Sequence, residues 1–184
     1  MKNEMTERQV LWIRTGIAAI LVLFAAGLRI LPHPWNLTPI GAMALFSGSV
    51  FKEKWFKFAF PLAALFAGDT VIGFHQLMLV VYLSFALSVA IGMWLGERRK
   101  VLRISGATLL GAIQFFLITN FAVWVAFTTY PKSLTGLVAC YVGGLPYFWN
   151  TLAGDALYVA LLFGGYALAE RWVAKTRGVA ELQR

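Results

Sequence analysis

Apolar runs of similar length, each bounded by a short polar stretch, recur along the chain from about residue 10 to residue 170. A bilayer core about 30 Å thick takes about 20 apolar residues as helix. On that measure the pattern predicts spans at residues 12–31, 37–51, 56–74, 77–95, 104–128 and 151–170. No segment alternates polar and apolar residues as a membrane β-barrel strand does. The expected fold is therefore all-α: a polytopic membrane protein with six transmembrane helices.

Two segments fit less simply. The second span, LTPIGAMALFSGSVF, is short for a crossing. It needs a thinned bilayer, snorkelling of Lys52 and Lys54, or shelter among neighbouring helices. The stretch LTGLVACYVGGLPYFW (134–149) is apolar but carries Gly143, Gly144 and Pro146. It reads as a short re-entrant or interfacial helix, with backbone that must be buried in protein or border a cavity. The loop LPHPWNLTP (31–39) is stiffened by its prolines. Thr38 is placed to cap the second span, with Pro39 at its first helical position.

Composition sharpens this picture. With 60% hydrophobic and 13% charged residues, and a mean hydropathy of +0.73, the chain lies outside the range of soluble domains. Its net charge of +8 is explained by position. With six spans and both termini cytoplasmic, fourteen of the 16 lysines and arginines fall on the cytoplasmic side, leaving Arg29 and Lys132 outside. Counting 134–149 as a seventh span would move four basic residues of the C-terminus outside. The charge thus reports topology and affinity for the lipid bilayer, and nucleic acid is not an expected partner. The single cysteine, Cys140, excludes an internal disulfide. No small-residue cleavage site follows the first run, which reads as a retained span. Without linkers or repeats the chain is a single transmembrane domain, 1–184.

The polar residues inside this pattern gather on one side. Arg29, Asp69, Asn120 and Asp155 fall in the outer parts of their spans, Asp155 about one turn from the outer start of the sixth. His33, Asn36, Thr38, His75, Gln76, Tyr130, Lys132 and Asn150 lie in outer loops or at their borders. Ionisable groups in a bilayer are costly and face a cavity or a partner. One reading is an outward-opening pocket for a small-molecule ligand, with His33, Asn36, Asp69, His75, Asn120, Tyr130, Asn150 and Asp155 as its binding residues. The other is an internal ion pair, Arg29 with Asp69 or with Asp155, that locks helices and binds nothing. Trp35, Tyr130, Tyr141, Tyr147, Phe148 and Trp149 fit an interfacial belt or a lid over that pocket. One-sided polarity argues against a channel.

Other chemistry finds little footing. The two histidines stand in different loops, so no metal site is expected, and Cys140 reads as a small buried residue. No P-loop, G-x-S-x-G or G-x-G-x-x-G pattern occurs, so no ATP site, cofactor or catalytic function is expected of this chain. Small residues four apart, such as Ala44 with Gly48 and Ala64 with Gly68, permit close helix contact or docking of another membrane subunit.

The stretch NLTPIGAMALFSGSVFKEKWFKFAFPLAALFAGDTVIGFH (36–75) is similar to the S components of energy-coupling-factor vitamin transporters in its short polar outer loop, small-residue helix, basic inner turn and acidic helix end. More closely, HPWNLTPIGAMALFSG, VYLSFAL, TNFAVW, YPKSLTGLVACY and NTLAGDALYVALLFG resemble an uncharacterised family of small bacterial inner-membrane proteins over about residues 29–171. The S-component resemblance implies uptake of a vitamin or precursor in the bacterial inner membrane. It implies partners as well: a transmembrane coupling subunit with ATPases on other chains. Carried onto this sequence, the pocket uses Asn36, Asp69, His75, Asn120, Asn150 and Asp155 under a lid at 130–149. Span one holds small residues without the A-x-x-x-A pair that docks the coupling subunit in S components, so a solitary binding protein or facilitator stays open. Two further readings remain: a membrane enzyme using Asp69, His75 and Asp155 on a lipid or quinone headgroup, and a structural subunit of a larger complex.

Overall fold

The computed structural model describes residues 7–29, 34 and 36–182, of which the last seven are described as backbone alone. Among these residues six helices follow in order: α1 (Glu7–Leu28), α2 (Ile40–Val50), α3 (Lys54–Ile72), α4 (Met78–Leu95), α5 (Val101–Ala126) and α6 (Leu134–Leu182). No strand occurs among the described residues. Five of the helices are long and apolar enough to cross a membrane, and α2 is a shorter apolar helix.

The centre of the bundle is α2. All of its residues but Gly41 are buried, and Phe46 is wholly enclosed, edge-on to Phe163 and Tyr166 of α6. Of the three ways to accommodate a short apolar helix, the protein uses shelter by its neighbours. At 11 residues α2 is about 16 Å long, roughly half a bilayer core. It runs parallel to α4 along that helix's second half, and two glycines set the approach. A Cβ on Gly48 would overlap the Val89 carbonyl, and one on Gly92 would overlap the Leu45 carbonyl. Backbones this close are how helices gain dispersion contact where lipid removes the hydrophobic drive to associate.

Both ends of α2 are closed from elsewhere in the chain, one by a helix and one by the α4–α5 loop. Its first turn has no capping side chain of its own. Thr38 does not cap it, because the helix starts at Ile40 with Pro39 in the cap position, and the Pro39 carbonyl accepts from Met43 at 2.8 Å. The backbone N–H of Ala42 instead donates to the Asp155 carboxylate of α6. At the other end Arg99 donates through Nη2 to the Ser49 carbonyl and through Nε to the Ser49 hydroxyl, both at 3.3 Å. An anion at the N-terminus and a cation at the C-terminus are the signs a helix dipole favours.

The sequence-based picture of a broken segment at 134–149 is overturned. α6 is one continuous helix of 49 residues through Pro146. A proline removes one donor from a helix, a loss that neighbouring groups can re-satisfy in a bundle. The two glycines do not break the helix either. They face α5 and its following loop, where a Cβ on Gly144 would overlap the Asn120 amide and one on Gly143 would press on the Tyr130 hydroxyl. Residues 134–149 are thus the first part of a wall packed antiparallel on α5, with the Tyr141 hydroxyl donating to the Leu117 carbonyl at 2.9 Å.

Candidate functional site

Because α2 reaches only part of the way along the bundle, the space above its first turn is left to side chains from the surrounding helices. It forms a cavity of about 460 Å³, within the range of small-molecule sites. It opens where α1, α3 and α5 end and α4 and α6 begin. The opposite end carries a smaller hollow of about 360 Å³ bordered by Arg14, Lys52, Lys57 and Arg99. There Glu170 lies 3.6 Å from Arg14 and 3.8 Å from Arg99, whose guanidinium sits over the Tyr166 ring.

The cavity wall is built from helical stripes. On α6, Cys140, Gly143, Gly144, Tyr147, Thr151 and Asp155 line it at steps of three and four residues, the spacing of one helix face. On α5 the stripe is Gly111, Phe115, Thr119 and Val123, joined by Asn120; on α4 it is Val81, Phe85 and Ser88. Phe85 and Phe115 stack with centroids 4.9 Å apart. Asn36 and His75, both exposed, and Tyr130 stand at the mouth. Asn36 holds its backbone at a φ of 64°, a left-handed conformation that asparagine tolerates better than most residues.

The two carboxylates differ in their partners. Asp69, on α3, is 2.6 Å from Arg29 Nη2 through Oδ1 and accepts the Tyr82 hydroxyl at 2.8 Å through Oδ2. Arg29 also donates to the Leu65 carbonyl at 2.8 Å, and its guanidinium lies over Gly68, where a Cβ would displace it. Of the two pairings open to Arg29, the fold makes the one with Asp69. Asp155 lies deeper than its sequence position suggested. It is near the midpoint of the apolar stretch Leu134–Lys175, beside Ala107 and Gly111 of α5, instead of one turn from an outer end. Its carboxylate rests on Gly41, where any Cβ would overlap it.

Of the eight residues expected to bind a ligand, Asn36, Asp69, His75, Asn120, Tyr130 and Asp155 border this one cavity. Asn150 is not among its lining residues, since a continuous α6 turns it off the stripe that bears Tyr147 and Thr151. His33 lies outside the described residues, as does Trp35. Among the aromatic residues assigned to a lid, Tyr130 and Tyr147 border the cavity. Tyr141 and Phe148 pack on Phe116 of α5, and Trp149 is exposed. Cys140 is buried in the wall, its thiol 3.4 Å from the Asn120 carbonyl. Among the described residues no cluster of three or more histidine, cysteine or acidic side chains is placed to hold a metal.

Tyr82, Ser88, Thr119 and Thr151 belong to the site and escaped the sequence reading. Thr151 had a signal, one turn before Asp155 and one after Tyr147, visible once 134–182 is treated as one helix. Thr119 and Ser88 occupy positions that any apolar helix tolerates for a hydroxyl bonded to its own backbone, as Thr119 is to the Phe115 carbonyl at 2.7 Å.

No curated protein and no solved structure matches the chain, and the likeness to vitamin-transporter S components therefore finds no support there. A family model does match, over residues 9–177, nearly the whole of the described bundle. The chain belongs to DUF6580, a family of unknown function.

Proposed function

We propose that this protein is a membrane-embedded solute-binding transporter component that takes up a small nutrient, a vitamin or precursor, through the cavity above α2. The supporting observation is that one cavity of about 460 Å³ gathers polar groups from four helices and three loops around stacked rings, at a single end of an apolar bundle. In this reading all six helices lie in the bacterial inner membrane, with α2 as a half-length member and the cavity opening outward. The basic end, with Lys52, Lys57, Arg98, Arg99, Lys100 and Arg103, faces the cytoplasm together with both termini, as the positive-inside rule asks.

Binding is favoured over catalysis on a lipid or quinone headgroup because Asp69 is engaged by Arg29 and Tyr82. Held by both partners, it is not free to move a proton. An S-component-like arrangement with a coupling subunit and ATPases on other chains is the form of transport this reading favours; a solitary binder is the simpler one.

Native mass spectrometry of the protein released from mild detergent tests the proposal. The expected result is a bound small molecule that is lost in Asn120→Leu. A bare mass for the wild type, with no vitamin from a broad panel raising its thermal stability, would sink the reading.

A further inference from the structure

The charges in the cavity do not balance. Arg29 and Asp69 cancel, and Tyr82 takes the remaining carboxylate oxygen of Asp69. Asp155 is 5% exposed and, among the described residues, has no lysine, arginine or histidine at ion-pair distance. The α2 N-terminus beneath it offers about half a positive charge through its N–H groups. Lys132, near the mouth, is turned away and donates to the carbonyls of Trp124 and Phe127 at the end of α5. Whenever Asp155 is ionised, the floor is therefore left with a net negative charge.

A carboxylate held out of water without a counterion is costly, and a cation seated against it relieves that cost. An anionic ligand would meet repulsion at the floor, and a neutral one would leave the carboxylate uncompensated. The walls specify the rest of the guest. Phe85, Phe115 and Tyr147 offer apolar and π surface, and a cation over such a ring gains further attraction. Ser88, Thr119 and Thr151 are hydroxyls suited to orient one polar substituent. A bare metal ion would find a single carboxylate and a space many times its size.

Resting on the solute-binding reading above, we propose that the ligand is a small organic monocation, a protonated or quaternary amine with an aromatic or apolar body. Its charged nitrogen sits against Asp155, and its body packs on Phe85, Phe115 and Tyr147.

A deproteinised small-molecule extract of bacterial cells, separated by ion exchange into cationic, anionic and unretained fractions, is the probe. Thermal unfolding of the purified full-length protein is followed with each fraction. The cationic fraction is expected to raise the wild-type midpoint by several degrees. Asp155→Asn keeps an acceptor for the Ala42 N–H while removing the charge, and is expected to abolish the shift. Thr151→Lys sets an ammonium one turn from Asp155 and is expected to abolish it as well, so the assignment does not depend on one variant folding. Stabilisation by the anionic or unretained fraction instead, or a cationic shift unchanged in both variants, overturns the inference while leaving solute binding intact. No shift from any fraction or from the whole extract overturns solute binding itself and the inference with it.

Discussion

The Asp155 carboxylate lies on the bare Cα of Gly41, joining the middle of α6 to the first turn of α2 at a point no side chain separates. Gly41→Ala is expected to cost about 1–3 kcal/mol, since the new methyl must displace a buried carboxylate or push two helices apart. Gly27→Ala, where nothing lies within 4 Å, is expected to stabilise by about 0.5–1 kcal/mol through helix propensity. Unfolding in mixed detergent and SDS reads both. Equal effects at the two positions would contradict the contact.

The Arg29–Asp69 pair makes its own prediction. Replacing Arg29 by Met leaves Asp69 buried and unpaired, at an expected cost of about 3–5 kcal/mol. Replacing both, as Arg29→Met with Asp69→Leu, removes the stranded charge and is expected to recover most of that loss. Tyr82→Phe alone costs about 1 kcal/mol for one hydrogen bond. A double-mutant cycle with no coupling would show that the pair is not made.

At the other end of α2, Arg99→Met is expected to lose about 1 kcal/mol as the Ser49 carbonyl gives up its cation. Arg98→Met, exposed and unengaged with α2, is expected to fall within about 0.5 kcal/mol of wild type. Similar losses at both positions would argue that general charge matters, and the cap does not.

Orientation is checked with thiols. In a Cys140→Ala background, Thr151→Cys lies on the cavity wall, and a small membrane-impermeant thiol reagent is expected to label it in intact cells. Labelling seen only in inverted vesicles would place the cavity on the cytoplasmic side. Native Cys140, 2% exposed, is expected to react slowly until the protein is unfolded.

Much of the helical layout was legible because hydropathy measures what a bilayer selects. The ends of α3 and α4 fall within two residues of the expected spans. Charge segregation was legible too: the basic hollow and the polar cavity occupy opposite ends. What misled was Gly143, Gly144 and Pro146. In isolation these weaken a helix, but here Gly143 and Gly144 make room for Tyr130 and Asn120. Reading them as a break shifted the sixth span and lifted Asp155 toward the surface. It also hid the stripe from Cys140 to Asp155. Tertiary close approach leaves no mark in a hydropathy profile that distinguishes it from a turn. The pairing of Arg29 with Asp69 over Asp155 was equally beyond sequence, since it depends on how deep each residue sits.

The short α2 divides the molecule by task. Below its first turn lies a keel, in which phenylalanine rings, paired glycines and two foreign caps fix one arrangement of helices. Above it lies a bowl, whose hydroxyls and rings project from helices already held in place underneath. Exchanging Thr119, Tyr147 or Thr151 should therefore change what the bowl accepts at little cost to folding, whereas the same boldness at Phe46 or Gly48 would take the vessel apart. A scaffold so divided can be retuned to a different guest from the rim downward without being rebuilt.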